Sequence, residues 1–214
     1  MGGERRGDLD LAPLSASLHD YDVLIGARRI QPGDEAAASH WLKAGAASLA
    51  SRQASGAARI VARSLLAKLG SDADAPLIRG PSGAPVWPPG IVGSLAHDEE
   101  FAIAAVARAG GLIGLGVDVE PAEPLPPDLV NLVLLPVEQK ETPDESVKQR
   151  LIFVCKEAVY KAVNPLDGSL LEYADIETRL QEASARLRDG RRLRLATLAT
   201  GRLVAAALAL AGFV

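Results

Sequence analysis

Gly114-Leu115-Gly116-Val117-Asp118-Val119-Glu120, preceded by Leu112-Ile113 and followed by Pro121, decides how the rest of this 214-residue chain is read. The run is short and apolar apart from its acids, and it ends at a residue that cannot donate to a ladder, so it reads as a strand stopped by Pro121. Asp118 and Glu120 stand at i and i+2, so both carboxylates leave one face, roughly 6–7 Å apart along the backbone. Like charges that close either mark a solvent-facing edge or invite a hard divalent cation. Magnesium suits better than zinc, because every donor is an oxygen.

Upstream, Phe101 to Ala107 is an apolar run of buried-strand length that could equally be a short helix. Joined to the Leu112–Glu120 strand through Gly110-Gly111, it suggests an antiparallel hairpin. Residues 76–93 are so rich in Pro and Gly around Val86 and Trp87 that they must be loop and turn. Between Ala36 and Leu69, Trp41, Leu42, Leu49, Ile60, Val61, Leu65, Leu66 and Leu69 recur at mostly helical spacing. That stretch reads as two helices or one broken near Ser55-Gly56, ending at Gly70. Tyr21 to Gly26 reads as a strand ending in a glycine turn.

Downstream, residues 121–145 are irregular and proline-rich, with one or two helical turns at Leu129 to Leu135. Ser146 to Val163 is a helix with apolar positions three and four apart, stopped at Asn164-Pro165. Strands follow at Asp175–Leu180, Arg192–Leu198 and Arg202–Leu210. The fold class is therefore α+β with mostly antiparallel pairing. The order of elements suggests two similar subdomains, antiparallel sheets with packed helices, divided as residues 1–111 and 112–214, with an active site in the cleft between them.

Composition narrows the function. Hydrophobic residues make up 48% and charged residues 23%, enough for a sizeable core. A net charge of −4 and 4% aromatics offer neither a basic groove nor base-stacking rings, so no nucleic-acid partner is expected. Cys155 is the one cysteine, which excludes an internal disulfide and any zinc site with two thiolates; it reads as packing, and the compartment as reducing. The first residues carry no signal-peptide pattern, and the longest apolar run, Leu203 to Val214, is too short for a membrane helix of roughly 20 residues. The expectation is a cytoplasmic, soluble protein with no membrane partner.

Further side chains stand out by position. Lys161 follows Glu157 by four on the long helix, which alone suggests an ordinary i,i+4 ion pair. Ser94 and His97, at the end of a glycine-containing turn, could converge on an anion. Arg59 and Arg63 share a helix face and could fork onto a phosphate, or simply be solvated. No G-x-S-x-G elbow, Walker loop or dinucleotide fingerprint is present.

In their order, GPSGAPVWPPGIVGSLAH at 80–97, GLGVDVE at 114–120 and FVCKEAVYKAV at 153–163 resemble the 4′-phosphopantetheinyl transferases, over roughly residues 50–178. The length and the tryptophan-proline loop look like the single-chain, two-half branch acting in siderophore, nonribosomal peptide and polyketide synthesis. The resemblance implies magnesium-dependent transfer of the phosphopantetheine arm of coenzyme A to a serine of an apo acyl, peptidyl or aryl carrier protein, releasing adenosine 3′,5′-bisphosphate. It implies Asp118 and Glu120 as metal ligands and Glu157 as either a third ligand or the base for the serine. It also implies Lys161 on the phosphates, with Lys156 of the same motif and Ser94 as further coenzyme A contacts. His97 would hold the pyrophosphate or the 3′-phosphate. Arg59 would hold the 3′-phosphate, with Arg52 a second candidate. Ser82 or Gly83 stands where relatives often carry a basic residue, and Arg79 is the neighbouring candidate for that charge. A monomer is expected, since one chain would hold both halves of the cleft.

Overall fold

The computed structural model describes residues 8–38, 48–80 and 83–212. Trp41 and Leu42, expected on a helix, and Ser82 of the Pro-Gly loop lie outside the described residues. The fold is α+β with two antiparallel sheets. Strands β1 (Leu24–Arg29), β2 (Ile91–His97) and β3 (Phe101–Arg108) form one sheet in the order β1-β3-β2. Strands β4 (Leu112–Pro121), β5 (Ile176–Arg179), β6 (Ser184–Leu187), β7 (Arg192–Ala199) and β8 (Arg202–Leu210) form the other, in the order β4-β8-β7-β6-β5. The helices are α1 (Ala12–Leu18), α2 (Leu49–Lys68), α3 (Pro127–Val133), α4 (Pro136–Glu141) and α5 (Ser146–Asp167).

Each sheet carries one long helix. Val61, Leu65 and Leu66 of α2 pack on Ala104 and Val106 of β3. Val154, Ala158 and Ala162 of α5 pack on Leu193, Ala205 and Ala207 of the second sheet. The opposite faces meet in a shared core: Ile103, Ala105 and Ala107 of β3 join Leu115, Val117 and Val119 of β4 and Val204 and Ala206 of β8. Leu14 and Leu18 of α1, with Leu11 just before that helix, close the core from a segment that precedes the first sheet in sequence. A continuous apolar core makes the two halves one folding body.

Four expectations need correction. The β3–β4 hairpin does not form, because β1 and β2 already occupy both edges of β3, and β4 pairs with β8 instead. α2 is unbroken through Ser55-Gly56; a Cβ at Gly56 would lie 1.8 Å from the Asp34 carbonyl oxygen, so that glycine serves close packing against residues 34–38. Pro165 does not stop α5, which continues to Asp167. In the last turn proline forfeits only its own bond to the preceding turn, and Gly168, with φ 74°, supplies the left-handed cap. The Tyr21–Gly26 strand is displaced to Leu24–Arg29, after a left-handed turn at Asp22.

The sheets meet through β2 and β4, one edge strand from each, which run beside each other. There the Val117 backbone N–H donates to the Ser94 hydroxyl at 3.0 Å, fastening half to half.

Candidate active site

Alternation along β4 sorts its residues into two sets. Leu115, Val117 and Val119 point into the shared core, while Gly114, Gly116, Asp118 and Glu120 share the face toward α5. A Cβ at Gly116 would lie 1.9 Å from the Ala158 carbonyl oxygen, and one at Gly114 2.4 Å from that of Ala162. The two glycines therefore let α5 lie directly on the strand, which brings Lys161 down onto Asp118 one step further along.

Lys161 Nζ reaches Asp118 Oδ1 at 2.6 Å, with Asp118 buried and Lys161 partly exposed. The expected Glu157–Lys161 helix pair gives way to this contact, and Glu157 Oε1 instead accepts from the Tyr173 hydroxyl at 2.7 Å. Glu120 Oε2 lies 3.2 Å from Arg150 Nη1. Burial pushes the Asp118 carboxyl above the usual range, Lys161 opposes the rise and Glu157 adds to it. Glu120 is raised by burial and then by Asp118, against Arg150. Burial, followed by the Glu157 contact, raises the Tyr173 phenol, which keeps it a donor.

Beside these groups opens a cleft of about 590 Å³ between the two halves, lined by Arg79, Trp87 and Ser94 from one side and Glu157, Tyr160 and Lys161 from α5. Its size suits a cofactor-sized ligand. His97 sits at the exposed end of β2; partial burial and then the Lys161 charge lower its pKa, while Asp98 pulls it upward. Arg79 Nε donates to the Gly83 carbonyl, holding a turn in which Gly83 has φ 88°.

Other expected site residues lie elsewhere. Lys156 is fully buried: its ammonium meets Glu138 Oε2 at 2.7 Å, the Val133 carbonyl at 2.8 Å and the Tyr173 carbonyl at 3.1 Å. Those contacts use all three donors of an ammonium, so the expected coenzyme A contact at Lys156 is corrected to a structural one. Arg59 is buried, donating to the Leu77 carbonyl and to Ser55, and is not among the cleft-lining residues. Burial and the nearby Arg63 and Arg79 lower its pKa to about 10. Arg52, on the first turn of α2 in the field of Glu35, is likewise not among the cleft-lining residues. Cys155 is buried, and burial pushes its thiol pKa up, which suits packing.

Among the described residues, no group of three or more His, Cys, Asp or Glu side chains is arranged to hold a metal ion. The expected three-acid set is divided: Lys161 holds Asp118, Arg150 holds Glu120 and Tyr173 holds Glu157. The donors still fit a hard cation in kind, being carboxylate oxygens whose pKa burial raises and a neighbouring acid raises further, Glu157 for Asp118 and Asp118 for Glu120. Arg150 and Tyr173 escaped the sequence reading. Each reaches its carboxylate from a turn or element whose placement only the tertiary fold defines.

The described residues thus present a two-sheet α+β body in which an acid-bearing strand, a lysine and an arginine stand beside a cleft. Two family models match the chain: the 4′-phosphopantetheinyl transferase N-terminal domain over residues 42–107 and the 4′-phosphopantetheinyl transferase superfamily over residues 114–207. The chain belongs to the 4′-phosphopantetheinyl transferase superfamily. It is similar to the 4′-phosphopantetheinyl transferase Svp of Streptomyces mobaraensis, 41% identical over 125 residues, 56% of this chain and 50% of that protein. It resembles Npt of Nocardia iowensis at 41% identity over 133 residues, 60% of each chain. PptT of Mycobacterium tuberculosis is 36% identical over 105 residues, 47% of this chain and 46% of its own length. The chain thus spans about half the length of the curated relatives it matches.

Proposed function

We propose that the protein transfers the 4′-phosphopantetheine arm of coenzyme A to a serine of an apo carrier protein, releasing adenosine 3′,5′-bisphosphate. The observation that carries this reading is the Asp118–Lys161 pair beside a cleft of about 590 Å³, with Glu157 on the same helix face. Coenzyme A lies across the cleft. Arg79 supplies positive charge to the cleft from the first half, and Arg59, near enough to feel its charge, adds to the field from outside the lining. Lys161 turns from Asp118 toward the phosphates and stabilises charge developing on the transferring group. Glu157, held by Tyr173, accepts the serine proton. His97, largely neutral at pH 7, donates a hydrogen bond to a phosphate oxygen.

Magnesium would be held by Asp118 and Glu120, with Glu157 as a third ligand if it is not the base. Bound there, it would neutralise pyrophosphate charge in the transition state. Both halves of the cleft come from one chain, so we propose that a monomer suffices, acting in the cytoplasm on acyl, peptidyl or aryl carriers.

The test is to incubate the protein with coenzyme A, magnesium and a set of apo carrier proteins, weigh the intact carriers, and repeat with a chelator. A metal-dependent gain of one phosphopantetheine arm is expected. Coenzyme A binding with no carrier gaining mass would contradict the transferase reading.

A further inference from the structure

The two halves are fastened a second time, at the end of the β2–β3 turn, by a cluster that the transfer chemistry does not use. Asp98 Oδ1 accepts from the backbone N–H groups of Glu100 and Phe101 at 2.7 and 2.6 Å, shaping the turn. Its other oxygen accepts from Arg202 Nε, and the same guanidinium donates to Glu100 Oε2. Glu100 Oε1 in turn pairs with Arg29 of β1. The guanidiniums of Arg29 and Arg202 both lie over the Phe101 ring, 4.7 and 5.2 Å from its centre. Asp98 is almost wholly buried, its side chain 3% exposed, and Arg202 only 19%. A buried carboxylate held by a forked guanidinium is a rigid joint: charge-assisted bonds at two oxygens fix both distance and angle.

The joint touches the site from both sides. His97 immediately precedes Asp98 on the first half. On the second half, Arg202 stands opposite Pro121 in the β4–β8 register, and Leu203 opposite Glu120. Arg202 therefore ties the residue next to His97 to the strand step next to Glu120.

We propose that Arg202 is a positioning residue that sets the separation of His97 on β2 from the acids on β4, and so the fit of coenzyme A. This rests on the reading of the cleft as a coenzyme A site with His97 on a phosphate. A group held through a stiff partner loses binding when that partner is removed, because an ångström of misplacement is enough to forfeit a phosphate contact. Lysine at 202 keeps the charge but not the fork, and so satisfies one carboxylate at a time.

The experiment is a cycle in coenzyme A affinity, measured by calorimetry on the full chain for the unaltered protein, Arg202→Lys, His97→Ala and the double variant, alongside KM for coenzyme A and melting temperature. Arg202→Lys should weaken coenzyme A binding and raise its KM about tenfold while kcat changes less than threefold. In the His97→Ala background, Arg202→Lys should weaken binding by less than twofold, because the contact it positions is already gone. Glu100→Gln, which keeps one acceptor oxygen but takes the charge from one arm of the fork and leaves Asp98, should give a smaller loss of the same kind. Equal loss from Arg202→Lys in both backgrounds would overturn the proposal, as would a lowered melting temperature with unchanged coenzyme A affinity. An unaltered protein that fails to bind coenzyme A would overturn the cleft reading first, and this proposal with it.

Discussion

Two lysines of α5, five residues apart, each meet a carboxylate, and they do opposite work. Five residues turn a helix by about 140°, so Lys156 and Lys161 leave different sides of it. On one side Lys156 is sealed against Glu138, which also accepts from the backbone N–H groups of Leu135 and Thr178, both at 2.7 Å. That buried network ties α4, β5 and α5 together. On the other side Lys161 meets Asp118 at the rim of the cleft, with 30% of its side chain exposed. The pairing chemistry is the same. What differs is whether every donor is saturated and whether water and ligand can enter. The saturated pair holds the fold, and the open pair can exchange partners.

Removing the anchor of the sealed pair should have the largest effect. Glu138→Ala leaves the Lys156 charge buried without its partner and two backbone N–H groups unsatisfied. A cost of about 3–5 kcal/mol is expected, read as a shift in denaturant midpoint. The fraction still folded should bind coenzyme A normally. On the open side, Lys161→Ala should lower carrier loading by about 10²–10³-fold, the scale of losing one charge-stabilising donor. Its loss of stability should be smaller than that of Glu138→Ala: Asp118 is left without its partner, but it can take up a proton at the rim of the cleft and no backbone N–H is orphaned. If both variants lost stability equally, the distinction between the two sides of α5 would fail. A smaller effect sharpens the same contrast: Tyr173→Phe removes only the hydroxyl on Glu157. It should lower kcat roughly tenfold, about 1.4 kcal/mol, with KM for coenzyme A unchanged.

The α5 contrast also shows how far residues alone carry. The helix was legible from its three-and-four spacing, and β4 from its short run ended by proline, so Asp118, Glu120, Glu157 and Lys161 fell on their correct elements. Pairing was not legible. The contact of Lys161 with Asp118 depends on Gly114 and Gly116 admitting the α5 backbone, and the Glu157 contact depends on Tyr173 arriving from a turn sixteen residues on. Adjacent runs at 101–107 and 112–120 suggested a hairpin, yet nothing local reveals that both edges of β3 are already taken. Strand β6 and helix α4 are too short for periodicity to show, at 4 and 6 residues. The helical angle between positions 156 and 161 did hold a usable signal, since about 140° sets the two lysines on different sides of the helix.

The central claim, that the open side of α5 and the acid face of β4 carry the transfer, is tested most directly by the loading rate of an apo carrier with Asp118→Asn. Asparagine keeps the shape and removes a charge whose burial already pushes its carboxyl pKa up, so the variant should melt no lower than the unaltered protein. The account predicts that loading falls at least a hundredfold in this folded variant. A rate within twofold of the unaltered protein would contradict it.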